Sequence, residues 1–195
     1  MPDRLDLPDA DVRLDRRWLA QDEADALFAT LATTLPWENH PVRMFGRDHP
    51  APRLSCWIGD ASYRYSGLVR RPHPWTADLA ALRDRLAGAL GAPFNSVLAN
   101  LYRDGRDAMG WHADDERELG PVIASISLGA TRRFALRARA GSARLAIDLA
   151  HGSLLVMAGA TQLHYRHALP RTQRPVGPRI NLTFREVRET RGADR

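Results

Sequence analysis

The chain has 195 residues, and its single cysteine excludes a disulfide framework. At this length and a hydrophobic content of 44%, the chain can bury one substantial core but is short for two, so we expect a single domain with a loose N-terminal extension. No leader-like segment opens the sequence, and no apolar run reaches the roughly 18 residues of a membrane span. We therefore expect a cytoplasmic protein with no membrane contact.

The basic residues are unusual in kind. All 28 Lys+Arg positions are arginine, and the formal net charge is +5. Arginine presents planar, bidentate donors that suit phosphate and carboxylate, which favours a polyanionic partner. A bias toward arginine can equally come from genomic base composition, with the charges serving only solubility. Charge alone leaves both interpretations open.

The first half of the chain is predicted to hold two helices and a hairpin region. Residues 1–17, rich in Asp, Arg and Pro, predict an irregular or edge-pairing arm. Apolar spacing predicts an amphipathic helix over Asp22–Leu35 and a second helix from about Pro74 to Leu90. Between them, Val42–Trp57 alternates short β-like runs with Gly and Pro, as a strand and hairpin region would.

After residue 95 the sequence is typical of short strands separated by turn signals. The predicted strands are Ser96–Tyr102, Val122–Leu128, Arg133–Arg137, Ala143–Leu149, Ser153–Met157, His164–Ala168 and Arg179–Val187. Many short strands with turns between them predict a sandwich or jelly roll. The fold class is therefore mainly β with flanking helices (α+β).

His112 and Asp114 are the first candidate metal ligands, because residues two apart share one face of an extended strand. By itself such a pair is more often a surface polar pair. A third ligand must come from a distant strand, and the candidates are His151, His164 and His167. His151 begins a turn that it could simply cap, and His164 and His167 are an odd number apart, so only one of those two can point into the site. Two imidazoles and one carboxylate are the ligands that hold non-haem iron(II) while leaving coordination positions open.

A second group of polar side chains suits an acidic co-substrate. The two arginines of the last predicted strand are six residues apart, so they share a face and could meet both ends of a dicarboxylate such as 2-oxoglutarate. The side chains on that face are Arg179, Asn181, Thr183 and Arg185. The alternative is an exposed basic strand. On another strand, Asn100 and Tyr102 are candidate donors to a keto-acid carboxylate, with turn formation and core packing as their respective alternatives.

Taken together, these motifs resemble the AlkB family of iron(II)- and 2-oxoglutarate-dependent dioxygenases. The resemblance covers about residues 40 to 188. The matching segments are Asn100–Leu119, Pro121–Gly129, His151–Met157 and Arg179–Arg185. Two further segments, Met44–Arg47 and Tyr63–Gly67, are similar to the subfamily that repairs methylated bases in duplex DNA.

The resemblance implies a double-stranded β-helix (jelly roll) with N-terminal helices and a nucleotide-recognition hairpin region. We expect one continuous domain in four stretches: an irregular arm at 1–17, a helical and nucleotide-recognition region at 18–95, a jelly-roll core at 96–188 and a flexible tail at 189–195. We further expect a monomer that is cytoplasmic and associates with the bacterial nucleoid during repair.

The resemblance also implies a role for each matching residue. It selects His167 as the third ligand, so that iron(II) would be held by His112, Asp114 and His167. The contacts to 2-oxoglutarate would be Asn100, Tyr102, Arg179, Asn181, Thr183 and Arg185. The contacts to substrate would be Met44, Phe45, Gly46, Arg47, Arg64, Tyr65, Ser66, Asp115 and Glu116. Trp111 stands where we expect a polar residue, and its role is left open.

The implied activity is oxidative demethylation of bases such as N1-methyladenine and N3-methylcytosine. Iron(II) would be bound, 2-oxoglutarate and O2 would be consumed, and formaldehyde would be released. The partner would be alkylated DNA, with the duplex favoured and single-stranded DNA or RNA left open. A base inside a duplex must be flipped out to reach such a site. The alternatives are an RNA demethylase, a dioxygenase of the same fold acting on a protein or small molecule, and a catalytically silent nucleic-acid binder.

Overall fold

The computed structural model describes residues 2–44, 47–61, 63–65, 68–70 and 72–188, and within 42–49 and 62–71 it describes backbone only. The helices in these ranges are α1 (Gln21–Thr34), α2 (Ala77–Leu90) and α3 (Thr161–His164). The strands are β1 (Asp3–Arg4), β2 (Asp11–Asp15), β3 (Pro41–Met44), β4 (Arg47–Pro50), β5 (Leu54–Gly59), β6 (Tyr63–Tyr65), β7 (Leu68–Arg70), β8 (Ser96–Tyr102), β9 (Met109–His112), β10 (Val122–Gly129), β11 (Arg132–Ala138), β12 (Arg144–Leu149), β13 (Ser153–Ala158), β14 (Tyr165–Leu169) and β15 (Arg179–Arg185).

Two antiparallel sheets make up the body of the molecule. The larger has seven strands in the order β1-β2-β13-β10-β15-β8-β5, and the smaller has four in the order β12-β11-β14-β9. Side chains of both sheets line one cavity, so their inner faces meet there. This arrangement confirms the predicted jelly roll with flanking helices.

Each face of the seven-stranded sheet has its own apolar core. On the outer face, Leu31 of α1 and Leu79 of α2 pack with Ile126 and Leu154 of the sheet. On the inner face, side chains such as Leu155 pack with Phe134 and others of the smaller sheet. A strand that is buried on both faces must be apolar almost throughout, which is why β10 reads Val-Ile-Ala-Ser-Ile-Ser-Leu-Gly.

The helices begin and end close to where the sequence predicts them. α2 starts at Ala77 rather than Pro74, because the Thr76 side chain accepts a hydrogen bond from the backbone N–H of Leu79 at 3.3 Å and so caps the helix. Gly91 ends it with φ +62°, a left-handed conformation that favours glycine.

The N-terminal segment is more regular than expected. Within residues 1–17, for which the sequence predicts an irregular or edge-pairing arm, β2 pairs with β13 as part of the larger sheet. Val12 and Leu14 alternate with charged residues and are buried against the smaller sheet. The arm prediction is correct for the edge position of β1 but wrong about irregularity, because the alternation in Asp-Val-Arg-Leu-Asp is itself a strand pattern.

β5 overlaps the predicted strand and hairpin region and joins the larger sheet through its pairing with β8. Two other elements differ from the sequence prediction. β9 was not among the predicted strands. The predicted strand His164–Ala168 starts one residue later, at Tyr165, because His164 ends the short helix α3.

The predicted hairpin region contains two small two-stranded sheets, β3–β4 and β6–β7. Met44, Arg47, Arg64 and Tyr65 lie in these strands, with their side chains outside the description. The predicted substrate contacts Phe45, Gly46 and Ser66 lie outside the described residues. Across the described ranges, every helix is too short or too polar to cross a membrane.

Candidate active site

Three potential metal ligands converge between the two sheets. His112 lies at the end of β9, His167 lies in the middle of β14, and the two residues are directly paired in the four-stranded sheet. Asp114 follows β9 by two residues. One ligand atom from each of the three lies within 4.8 Å of the others, and within the described ranges these residues form the one such group of three or more. The geometry therefore brings together the three residues that the resemblance selected.

Hydrogen bonds orient the ligands. The Nδ1 of His112 donates to the carbonyl of Gly110 at 2.8 Å, which leaves Nε2 free to face a metal. The backbone N–H of Asp114 donates to the side-chain oxygen of Gln162, on α3, at 3.0 Å. This hydrogen bond fixes the backbone of Asp114, which lies two residues beyond the end of β9. The sequence placed Asp114 and His112 on one face of a strand, but in the structure that strand ends at His112.

The Asp114 carboxylate lies between Arg185 and His112. Its Oδ2 accepts a hydrogen bond from Nη2 of Arg185 at 2.6 Å, and its Oδ1 is 3.7 Å from Nε2 of His112. Burial would raise the pKa of Asp114, but the attraction of Arg185, His167 and His112 outweighs it and holds the pKa below its ordinary range. The carboxylate is therefore ionised at neutral pH, as a metal ligand must be.

His167 is held as a neutral base. Its side chain packs against the ring of Phe134, and the residue is 5% exposed. Burial lowers the pKa of His167 to about 4, because the charged imidazolium loses its hydration, and this outweighs the opposing attraction of Asp114. Neutral imidazole is the form that binds a metal.

The other two histidine candidates lie elsewhere. His164 is exposed at the end of α3 and is not in the three-residue cluster. Nδ1 of His151 accepts a hydrogen bond from the backbone N–H of Gly129 at 2.7 Å. His151 therefore contacts the end of β10 and not its own turn, and it is not in the three-residue cluster.

A strip of polar side chains lies on the inner face of the larger sheet. Tyr102 is directly opposite Arg179 and Asn100 is directly opposite Asn181, because β8 and β15 pair in register. The six residues predicted to contact 2-oxoglutarate all line the cavity that also contains the metal ligands; they are Asn100, Tyr102, Arg179, Asn181, Thr183 and Arg185.

Arg179 is the residue of this strip that most clearly indicates an acidic ligand. It is 2% exposed. Its Nη2 donates a hydrogen bond to the Ser127 hydroxyl at 2.8 Å, and its guanidinium lies over the Tyr102 ring, 5.4 Å from the ring centroid. Its buried Nε has no hydrogen-bond partner among the described residues, and no described carboxylate pairs with it. Burial lowers its pKa to about 10, so it stays charged at neutral pH. A buried cation without an anion is unfavourable, so this site fits an acidic co-substrate.

Arg185 differs from Arg179, since it donates a hydrogen bond to the candidate ligand Asp114. The sequence treated both arginines as carboxylate anchors. The structure gives Arg185 an additional contact, in which it holds Asp114 in place.

Sequence analysis missed three polar residues that support this strip. Ser127 contacts Arg179, and Ser125 accepts from Asn181 at 2.7 Å. Nε of the buried Arg53 donates to the side-chain Oδ1 of Asn100 at 2.8 Å. The two serines could have been found, because they alternate within an otherwise apolar strand. Arg53 carries no comparable signal, since it reaches Asn100 from a segment 47 residues away.

The remaining predicted substrate contacts lie near the mouth of the site. Asp115 is exposed and forms an ion pair with Arg139 at 2.5 Å, whereas Glu116 is half-buried. Trp111 precedes the ligand His112 and is 42% exposed, with the Arg137 guanidinium 4.3 Å from its ring centroid. The donor set as a whole suits an octahedral metal with open positions beside a carboxylate-binding arginine.

Comparison with solved structures supports the fold. The structure of OsALKBH1 superposes with a TM-score of 0.62 over 89% of this chain and 97% of that one, at 18% identity. At this identity the similarity concerns the fold alone.

Sequence comparison is more specific. Residues 11–185 match the 2OG-Fe(II) oxygenase superfamily. The chain is 40% identical over 177 residues to the alpha-ketoglutarate-dependent dioxygenase alkB homolog 3 of Bos taurus, covering 85% of this chain and 62% of that protein. It is 42% identical over 180 residues to the DNA oxidative demethylase ALKBH2 of Homo sapiens, covering 85% and 69%. The chain spans 60–65% of the length of the alkB homolog 3 proteins it matches. The cluster of two histidines and one aspartate, the buried arginine and these relatives agree: the chain belongs to the 2OG-Fe(II) oxygenase superfamily and, within it, to the AlkB family.

Proposed function

We propose that this protein is an iron(II)- and 2-oxoglutarate-dependent dioxygenase that oxidatively demethylates N-alkylated bases in DNA. The observation that carries the proposal is the convergence of His112, Asp114 and His167 beside Arg179, a buried arginine with no carboxylate partner among the described residues. Relatives that are 40–42% identical are called an alpha-ketoglutarate-dependent dioxygenase and a DNA oxidative demethylase, which supports the same activity here.

Each part of the site has a task in this proposal. His112, Asp114 and His167 would hold the iron(II). Bound there with 2-oxoglutarate and O2, it would supply the chemistry that hydroxylates the methyl group while 2-oxoglutarate is converted to succinate and CO2; formaldehyde is then lost and the base is restored. Arg179 anchors a carboxylate of 2-oxoglutarate, and Tyr102, which lies under the Arg179 guanidinium, helps to shape that pocket.

The substrate base must enter beside the metal. Asp115 lies one residue after the ligand Asp114 and is exposed, so its negative charge suits a cationic methylated base. Its ion pair with Arg139 would then have to loosen, or share the carboxylate, when the base binds.

We extend the proposal to duplex DNA, with the protein acting as a monomer. The support is the composition of the β3–β4 connection, where Phe45 is flanked by Arg43 and Arg47. An apolar ring can fill the space left by a flipped base while arginines contact phosphates. Single-stranded DNA and RNA are the competing substrates.

The test is direct. The protein is incubated with iron(II), ascorbate and 2-oxoglutarate together with oligonucleotides carrying one N1-methyladenine or N3-methylcytosine, as single strands, duplexes or RNA, and base mass and succinate are followed. We expect loss of 14 mass units per repaired base, the difference between a methyl group and a hydrogen atom. The Asp114→Ala variant is the control and should be inactive. Succinate formed without any change in base mass, on every nucleic acid tried, would contradict the DNA substrate and point to a protein or small molecule.

A further inference from the structure

The outer face of the four-stranded sheet carries three arginines in one cross-strand row. Arg137 on β11 is directly opposite Arg144 on β12 and directly opposite Arg166 on β14. All three are exposed, because their neighbours along each strand point inward to the core. We call these three residues the arginine row.

This row is electrostatically unfavourable by itself. Like charges directly opposite each other on neighbouring strands destabilise a sheet, and strands lie about 4.8 Å apart, so the row spans about 10 Å. Among the described residues, none of the three forms an ion pair, whereas Arg133 on the same face is paired with Asp148 at 3.1 Å. The row therefore has the charge pattern of a surface that binds an external polyanion.

An exposed tryptophan joins the row to the metal centre. Trp111 lies on the edge strand β9, immediately before the ligand His112. The Arg137 guanidinium stacks on its ring with 4.3 Å from the charge centre to the ring centroid. Within the described ranges, Trp111 and Leu163 are the large apolar side chains that stand exposed.

Trp111 also borders a cleft of about 590 Å³. The small side chains of Ala135 and Ala168 and the candidate ligand His112 line the same cleft. A flat, apolar group that enters this cleft can therefore contact Trp111 close to His112.

We propose that Trp111 and the arginine row bind the nucleic-acid strand that flanks the reactive base, with Trp111 stacking on a neighbouring base and the arginines contacting its phosphates. This inference rests on the proposed function, since it concerns how that substrate is held. An aromatic platform combined with a positive groove is how proteins bind single strands without reading their sequence. The row offers three guanidinium groups to the phosphates of that strand.

An acidic protein would also be attracted to the row, but it has no base to place against Trp111. The two partners therefore respond differently to substitution of the tryptophan. The observations favour the nucleic acid, because the cleft, the ring and the metal ligand are contiguous.

The charge component is tested by binding of an unmodified, fluorescent single-stranded oligonucleotide, measured by anisotropy over a series of salt concentrations. We compare Arg144→Gln/Arg166→Gln with the matched control Arg16→Gln/Arg17→Gln, which removes the same charge from the exposed segment after β2. Each lost phosphate contact lowers the slope of log affinity against log salt by about 0.7, so the first pair should lower it by about 1.4 and weaken binding at least tenfold at low salt. Equal effects of the two pairs would overturn the proposal.

The stacking component is tested with Trp111→Ala and Trp111→Phe in the same assay. Loss of one base–aromatic stack should weaken binding about five- to tenfold or more in the alanine variant, and phenylalanine should restore most of it. Heparin, a polyanion without bases, is the second probe, and its affinity should not change in either variant. Unchanged oligonucleotide affinity in Trp111→Ala, or an equal loss for heparin, would overturn the stacking role.

These binding measurements need no turnover, so they separate the two proposals. A protein that binds the strand through Trp111 and the row but repairs no methylated base would contradict the proposed activity and leave this surface standing. If the protein repairs methylated oligonucleotides but all these variants bind them as well as the parent does, the proposed activity stands and the proposed binding surface is wrong. Unfolding temperatures of the variants, which should lie close to the parent because the side chains are exposed, confirm that folding is intact.

Discussion

At the scale of single residues, the site depends on how charges are compensated. Asp114 has Arg185 on one oxygen and His112 near the other, so it is ionised and oriented before any metal arrives. Arg179 has no such partner among the described residues, and its charge is compensated only when an acid binds. Under the proposed function, Arg185 would thus order the metal site and Arg179 would bind the co-substrate.

The first prediction concerns the third ligand. His167→Ala should weaken binding of Co(II), a spectroscopic substitute for iron(II), by more than roughly a hundredfold, because loss of supporting residues alone can cost 10–100-fold. His164→Ala is the matched control and should bind Co(II) like the parent, since His164 is exposed outside the cluster. Titration followed by visible absorption measures both. Retention of Co(II) affinity in His167→Ala with loss in His164→Ala would show the assignment to be wrong.

The second prediction concerns Arg179. Arg179→Ala should raise the Kd for 2-oxoglutarate by a factor of tens, because a charge-assisted contact contributes about 2 kcal/mol. Arg174→Ala, in an exposed loop, removes the same charge and should leave this Kd unchanged. Calorimetric titration of the Mn(II)-loaded protein measures the effect. If DNA affinity fell while 2-oxoglutarate affinity stayed constant, β15 would instead bind phosphate.

At the scale of secondary-structure elements, the site is a product of strand register. β8, β15 and β10 are neighbours in the larger sheet, and their alternate residues point to the same inner face. The outward residues of the same strands, such as Ile126 and Leu182, belong to the core under the helices. A slip of one residue would exchange the polar strip for this apolar set, so the core itself enforces the geometry of the site.

A third prediction follows from β10. Ser127→Ala removes the hydroxyl that accepts from Arg179 at 2.8 Å. The arginine should become less well oriented, and the Kd for 2-oxoglutarate should rise about fivefold, as expected for a hydrogen bond with a net contribution of about 1 kcal/mol. Ser142→Ala, in an exposed turn, should have no effect in the same titration. A Ser127→Ala variant with unaltered affinity would limit the serine to a packing role.

The fourth prediction belongs to the β3–β4 hairpin. If Phe45 fills the space of the flipped base, Phe45→Ala should lower turnover of methylated duplex DNA much more than turnover of the same single strand. Unstacking a base step costs a few kcal/mol, and only the duplex requires it. Steady-state kinetics on both substrates make the comparison. An equal loss on both, together with a lower Tm, would indicate that Phe45 is a core residue of the hairpin.

At the scale of the whole molecule, the metal and co-substrate would join the two sheets. His112 and His167 belong to the four-stranded sheet, whereas Arg179 and Arg185 belong to the seven-stranded sheet, and Asp114 lies between them. The unfolded chain does not bring residues of the two sheets together, so it lacks this binding site. Binding of the metal and co-substrate must therefore stabilise the folded state.

The fifth prediction is that Mn(II) with 2-oxoglutarate raises the Tm. At a ligand concentration of 100 Kd, the stabilisation is about 2.7 kcal/mol, which for a chain of this size corresponds to about 5–10 °C. Asp114→Ala should show no Mn(II)-dependent shift, and Arg179→Ala should lose the additional shift caused by 2-oxoglutarate. Differential scanning fluorimetry measures all three proteins. A parent protein whose Tm is unchanged by saturating Mn(II) would contradict a metal site between the sheets.

Local patterns alone predicted much of this molecule. The strand Ser96–Tyr102 has the same bounds in the structure, and both long helices were identified, because their apolar spacing is set by the pitch of the element itself. The shared face of Arg179, Asn181, Thr183 and Arg185 follows from alternation along one strand. These properties depend only on residues that are near each other in the chain.

Other properties required the tertiary structure, because they depend on residues that are distant in the chain. Periodicity could not choose among His151, His164 and His167; the pairing of β14 with β9 places His167 opposite His112 and leaves His164 on a helix. The contact between Arg185 and Asp114 joins residues 71 positions apart, and the arginine row arises only when β12, β11 and β14 align. Sequence by itself determined the secondary-structure elements, their polar faces and the resemblance of the motifs to a family, since each depends on residues that are close together in the chain. The fold alone decided which histidine completes the cluster and which arginine has no anion, because burial and pairing exist only after the sheets have packed.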